Sequence, residues 1–193
     1  MNLVERAKNL LLTPAAEWDK ISSETHTVQE LYTGWVMILA AIPALASFIG
    51  FSLVGVGAFG LSYRVPVVSG IAHAIVTYLL SLGSVYVFAL VIDALSPNFG
   101  GEKNFLQAFK VAAFAPVASW LAGVFHVFPA LSILAILGLY SVYLLYVGLP
   151  RLMKTPAEKA MPYTIVVIIV GIVISIVVGV LAAFALPGRV GAF

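Results

Sequence analysis

The chain contains no cysteine, which excludes disulfides, thiolate zinc sites and cysteine nucleophiles. Charge is equally scarce: Asp, Glu, Lys and Arg make up 9% of the 193 residues, against about 25% in an ordinary soluble domain. Ten basic and eight acidic side chains are too few to coat a water-facing surface. With 62% hydrophobic residues and a mean hydropathy of +1.10, the composition reads as a multi-pass membrane protein. A net charge of +2, with no basic cluster interleaved with aromatics, gives no sign of a nucleic-acid partner.

Enzyme signatures are also missing. There is no H-E-x-x-H, no G-x-S-x-G, no glycine-rich phosphate loop and no pair of intramembrane aspartates. The three histidines, His26, His73 and His126, fall at different depths and form no metal triad. The expectation is a non-enzymatic protein with no catalytic residues, no metal and no cofactor. The first twenty residues alternate charge sign and have no continuous apolar run, so they do not read as a secretory signal.

What is present is long uncharged runs. A helix needs about 20 apolar residues to cross a bilayer. The chain offers spans at about 33–57, 67–92, 105–126, 130–149 and 163–186. The stretch from 111 to 150 has no Asp, Glu, Lys or Arg. As one helix it would be roughly 60 Å long, twice the hydrocarbon thickness, so it must turn, and residues 125–130 (FHVFPA) are the hinge. The predicted architecture is an all-α, five-span bundle over 31–188, preceded by an amphipathic interfacial segment at 1–30 and followed by a tail at 189–193.

Basic residues set the orientation. Arg6, Lys8, Lys20, Lys103, Lys110, Arg151, Lys154 and Lys159 fall on one side, and only Arg64 and Arg189 on the other. The N-terminus is therefore expected in the cytoplasm and the C-terminus outside. Nearly all polar surface then lies on the cytoplasmic face. The candidate interaction surface combines Asp93, Pro97, Gly100, Gly101, Lys103 and Lys110 with Arg151, Lys154 and Pro156.

Local patterns add detail. Leu3, Val4, Ala7, Leu10 and Leu11 follow helical spacing, and Trp18 suits a headgroup-level membrane anchor. Thr13-Pro14 and Thr155-Pro156 open two helices, with Glu158 completing a capping box. Ser69, His73, Thr77, Ser81 and Ser84 form a polar stripe on the second span, which either joins helices or lines a hydrated path. Gly171, Ser175, Gly179 and Ala183 form a small-residue ridge for close helix packing, within the bundle or between copies. Pro43 and Pro116 are expected to kink the first and third spans.

Three segments, LLTPAAEWDKI, DALSPNFGGEKNFLQAFKVAAFAPVASWLAG and YSVYLLYVGLPRLMKTPAEKAMPYT, resemble the bacterial branch of the Yip1 family of small membrane proteins. That resemblance implies five spans, a cytosolic N-terminus and an outward C-terminus. It also implies kinship with eukaryotic proteins of early secretory membranes that bind Rab-type GTPases and sister proteins, and it brings no catalytic residue. The resulting expectation is a scaffold or adaptor of the bacterial cytoplasmic (inner) membrane. Its expected partners are membrane lipids, copies of itself or other membrane proteins, and a cytoplasmic protein. The alternatives are a small-solute or ion channel lined by the polar stripe, and a lipid-handling or membrane-shaping protein.

Overall fold

The computed structural model describes residues 2–58 and 61–184. Two short helices, α1 (Leu3–Leu12) and α2 (Pro14–Ser23), precede five helices long and apolar enough to cross a membrane. These are α3 (Val28–Val54), α4 (Val67–Phe99), α5 (Phe105–Val127), α6 (Pro129–Met153) and α7 (Ala157–Ala183). The protein is an all-α polytopic bundle. Among the described residues it carries one addition, a small antiparallel hairpin between α3 and α4, β1 (Val56–Ala58) and β2 (Leu61–Tyr63). The expected end of the fifth span at 185–186, the tail at 189–193 and Arg189 lie outside the described residues.

The uncharged run turns at Phe128, between the end of α5 at Val127 and the start of α6 at Pro129. That turn and the β-hairpin mark one end of the bundle. The α4–α5 and α6–α7 connections and the α1–α2 pair mark the other, which carries most of the charge.

Span α5 is the most enclosed of the five, packing against α3, α4 and α6. Close approach depends on small residues: a Cβ on Gly123 would sit 2.6 Å from Pro43 Cβ, and one on Gly138 would sit 3.0 Å from Ser119 Cα. Pro116 breaks α5 into Phe105–Phe114 and Val117–Ala122. A proline frees upstream carbonyls by lacking an N–H and pushing the next turn aside. Ala113 O, just before the break, accepts a hydrogen bond from Trp35 Nε1 of α3 at 2.9 Å. Inside lipid, a freed carbonyl must find such a partner within the protein.

Tyrosine hydroxyls tie further helices together. Tyr32 donates to Leu82 O at 2.9 Å and Tyr78 to Met37 O at 3.0 Å. Tyr163 of α7 donates to Ile92 O of α4 at 2.5 Å, with its ring stacked on Phe99.

Candidate functional site at the charged end of the bundle

Residues 2–27 are not one continuous amphipathic stretch. Helices α1 and α2 fold back on each other and dock onto α5 and α6. Arg6, only 5% exposed, joins them: its Nη1 lies 2.8 Å from Glu17 Oε1, and its Nη2 donates to both Glu24 oxygens at 2.6 and 2.7 Å. Asn9 Nδ2 adds a bond to Glu17 Oε2 at 3.1 Å, and His26 Nε2 sits 3.0 Å from Glu24 Oε2. Burial pushes the Glu24 carboxyl up, but the hydrogen bonds and charges of Arg6 and His26 outweigh it and hold the group below its ordinary value.

Trp18 is not a headgroup anchor. It is fully buried, edge-on to the Phe114 ring, and fills the space left by the missing side chain of Gly148. A Cβ there would clash with the indole, falling 2.6 Å from its Cζ2. The indole thus anchors α2 to α5 and α6, away from lipid headgroups. The Leu11 carbonyl of α1 accepts from Tyr140 Oη at 3.0 Å.

Lys110 does not snorkel to the surface. It is 1% exposed, and its Nζ donates to Ile21 O at 2.9 Å and Glu24 O at 2.6 Å. Beside it, Gln107 Nε2 donates to Ser22 O at 3.0 Å. The last carbonyls of a helix have no intrahelical partner and carry its negative pole. Two side chains of α5 therefore cap the C-terminus of α2 from outside, with the ammonium at the pole that favours a cation. Amphipathicity alone could not show this, because the acceptors are main-chain atoms almost ninety positions away.

The other predicted surface residues do come together. Gly100 takes a left-handed φ of 72°, closed to most side chains, and faces the Pro156 ring. Gly101 is wedged where a Cβ would fall 2.7 Å from Met153 O and 2.8 Å from Thr155 Oγ1, and against Ser96 Oγ. Glu102 N–H donates to Met153 O at 2.8 Å, and Lys154 Nζ pairs with Glu102 at 2.7 Å. The α4–α5 and α6–α7 connections thus form one ledge. Pro97, Gly100, Lys103, Arg151, Lys154 and Pro156 are exposed on it, and Gly101 is half-buried. Asp93 and Lys110 are buried, so their side chains are not part of an outward surface. Asp93 Oδ1 has no hydrogen-bond partner among the described residues.

The expected capping box at Thr155 does not form. Pro156 is the N-cap of α7 without a side-chain bond, and the Thr155 hydroxyl faces Gly101 instead. A true capping box sits at Thr27 and Glu30, with bonds of 3.1 and 2.9 Å. The T-V-Q-E pattern carried that signal.

In the polar stripe, Ser81 and Ser84 Oγ donate back to Tyr78 O and Ser81 O on their own helix. His73 Nδ1 meets Ala182 O of α7 at 3.0 Å, and the Thr77 hydroxyl is buried without a partner among the described residues. Ser69 is half-buried, one position before Gly70, whose missing side chain leaves room for Ser52. Along the small-residue ridge, a Cβ on Gly171 would meet the Phe88 ring at 3.4 Å. Ser175 and Gly179 are exposed, nothing lies within 4 Å of a Cβ on Gly179, and Ala183 is half-buried. No group of three His, Asp or Glu is placed to hold a metal among the described residues.

The family model described as "Yip1 domain" matches residues 8–179, which include α2, the ledge and nearly all of the five long helices. The chain belongs to the Yip1 domain family. This Yip1 chain is an integral multi-pass membrane protein. It is similar to Inner membrane protein YohC of Escherichia coli K12 and to the protein of the same name in Escherichia coli O6:H1 strain CFT073. Each is 25% identical over 166 residues, covering 83% of this chain and 85% of the relative. No solved structure matches the Yip1 chain.

Proposed function

We propose that this Yip1 protein is a non-enzymatic scaffold of the bacterial cytoplasmic membrane, with its charged end in the cytoplasm, recruiting a protein partner through the ledge. The orientation rests on the excess of Lys and Arg at that end, and the membrane on the name of its Escherichia coli relatives. The observation that carries the reading is the fusion of two connections, from different spans, into one exposed basic ledge held by main-chain contacts at Gly101 and Glu102. A surface fixed in this way loses little conformational entropy when a partner docks. Copies of the same chain and neighbouring membrane proteins are partners of the same kind.

The test is crosslinked recovery of partners from membranes, comparing Lys103→Glu with Arg64→Glu, both exposed. Lys103→Glu should reduce recovery and Arg64→Glu should not. Equal losses at both sites would remove the assignment.

A further inference from the structure

A crevice of about 860 Å³ opens among α4, α5, α6 and α7. Its rim residues Ile136, Leu139 and Ile172 are more than half exposed, so it opens sideways, toward the surroundings of the bundle. Phe88, Trp120, Leu145 and Ile168 wall it, and the small residues Ala135 and Gly171 make the room. Along α7 it runs from Ile168 to Ile176, about 12 Å at helical rise, close to the ~15 Å hydrocarbon depth of one leaflet. At the end far from the charged ledge, its lining reaches His126, next to the Phe128 turn.

We infer that this crevice holds an acyl chain of a bilayer phospholipid from the leaflet at the far end, with the headgroup at His126. The hydroxyls on its walls do not present a hydrated path. Ser81, Ser84, Ser119 and Ser175 donate to Tyr78 O, Ser81 O, Gly138 O and Gly171 O at 2.7, 2.7, 2.9 and 2.8 Å, and the Ser141 hydroxyl is paired with Ser119 at 3.0 Å. With their hydroxyls engaged inside the protein, these serines act as small wall residues that an alkyl chain can line at little cost. His126 is the polar exception. Gly123 O can only accept, so the 3.0 Å contact to Nδ1 places the ring proton there and leaves Nε2 to accept from a headgroup donor, the ammonium of an ethanolamine or the hydroxyls of a glycerol. A small-residue ridge ordinarily admits a helix; here Gly171 and Ser175 form a wall of the crevice.

The test uses the full chain purified in mild detergent with added palmitoyl-oleoyl phosphatidylglycerol or phosphatidylethanolamine, read by native mass spectrometry. One retained phospholipid per chain is expected. Ala135→Trp and Ser175→Phe, which fill the crevice from opposite walls, should lower the bound fraction at least tenfold. Leu79→Trp, on an exposed α4 position outside the lining, should leave it unchanged. His126→Leu should weaken phospholipid retention while sparing diacylglycerol, which shares the tails and lacks the ethanolamine or glycerol headgroup. The inference is overturned if no lipid is retained, if both filling variants retain it fully, or if Leu79→Trp loses it equally. It is also overturned if the filling variants abolish a dimer instead, since the occupant is then a second copy. Two crevice fillers with independent sites keep the result decisive if one of them fails to fold. None of these outcomes depends on the ledge at the opposite end.

Discussion

Replacing Lys110 by Met keeps the aliphatic stem and deletes the ammonium. Two bonds of 2.9 and 2.6 Å disappear, and the carbonyls of Ile21 and Glu24 lose their donor at the end of α2. Hydrogen bonds with one charged partner contribute about 1.5–3 kcal/mol each. Removing the ammonium also removes its own desolvation cost, which offsets part of that loss. The net destabilisation of hairpin docking comes to about 2–4 kcal/mol, a roughly 30- to 700-fold rise in the undocked population at 1.4 kcal/mol per tenfold. Hydrogen–deuterium exchange on the full protein in detergent reads this directly as lost protection over residues 3–24, with α7 unaffected as an internal control. Gln107→Met, which removes one neutral bond at 3.0 Å, should cost about 1 kcal/mol. Wild-type protection of α2 in Lys110→Met, or equal effects of the two substitutions, would refute the capping role.

Gly148→Ala places a methyl against the Trp18 indole, 2.6 Å from its Cζ2. It should lower thermal stability in detergent by about 1–3 kcal/mol, with partial rescue by Trp18→Leu; no rescue would show that the clash lies elsewhere. Acid should loosen the hairpin through Glu24. Its carboxyl is held below the ordinary 4.5, so its contribution is complete above that value and is lost as pH falls through the lowered one. Protection of α1 and α2 should therefore be flat at mildly acidic pH and fall once the pH drops below about 4.5, with the Glu24 share absent in Glu24→Gln.

The five long helices were readable because lipid leaves a chain few alternatives: uncharged runs must be helical, and their lengths must match the bilayer. The turn at Phe128 follows from the same arithmetic. The ledge was half-legible: Gly100-Gly101 suits a turn, Thr155-Pro156 marks a helix start, and the counting of charge put them at one end. Their mutual contact rests on Gly101 fitting against Met153 O, a tertiary match with no local signal. The N-terminal segment misled for a physical reason. An apolar stripe with Trp18 has the same pattern whether it meets lipid or another helix, and only the small residue at 148 distinguishes the two. Buried Arg6 was hidden because its partners at 17 and 24 follow no helical spacing within one element.

The dependence of α2 on Lys110 and Gly148 has a consequence for how the chain is made. The first helices leave the ribosome earliest, yet the donor for their final carbonyls is synthesised some 86 residues later, and the socket for the indole later still. At 5–20 residues per second, the interval between positions 18 and 148 is about 7–26 s. Until then α1 and α2 lack the groups that hold them on the bundle, so this pair of helices settles only after the spans that receive it have been made.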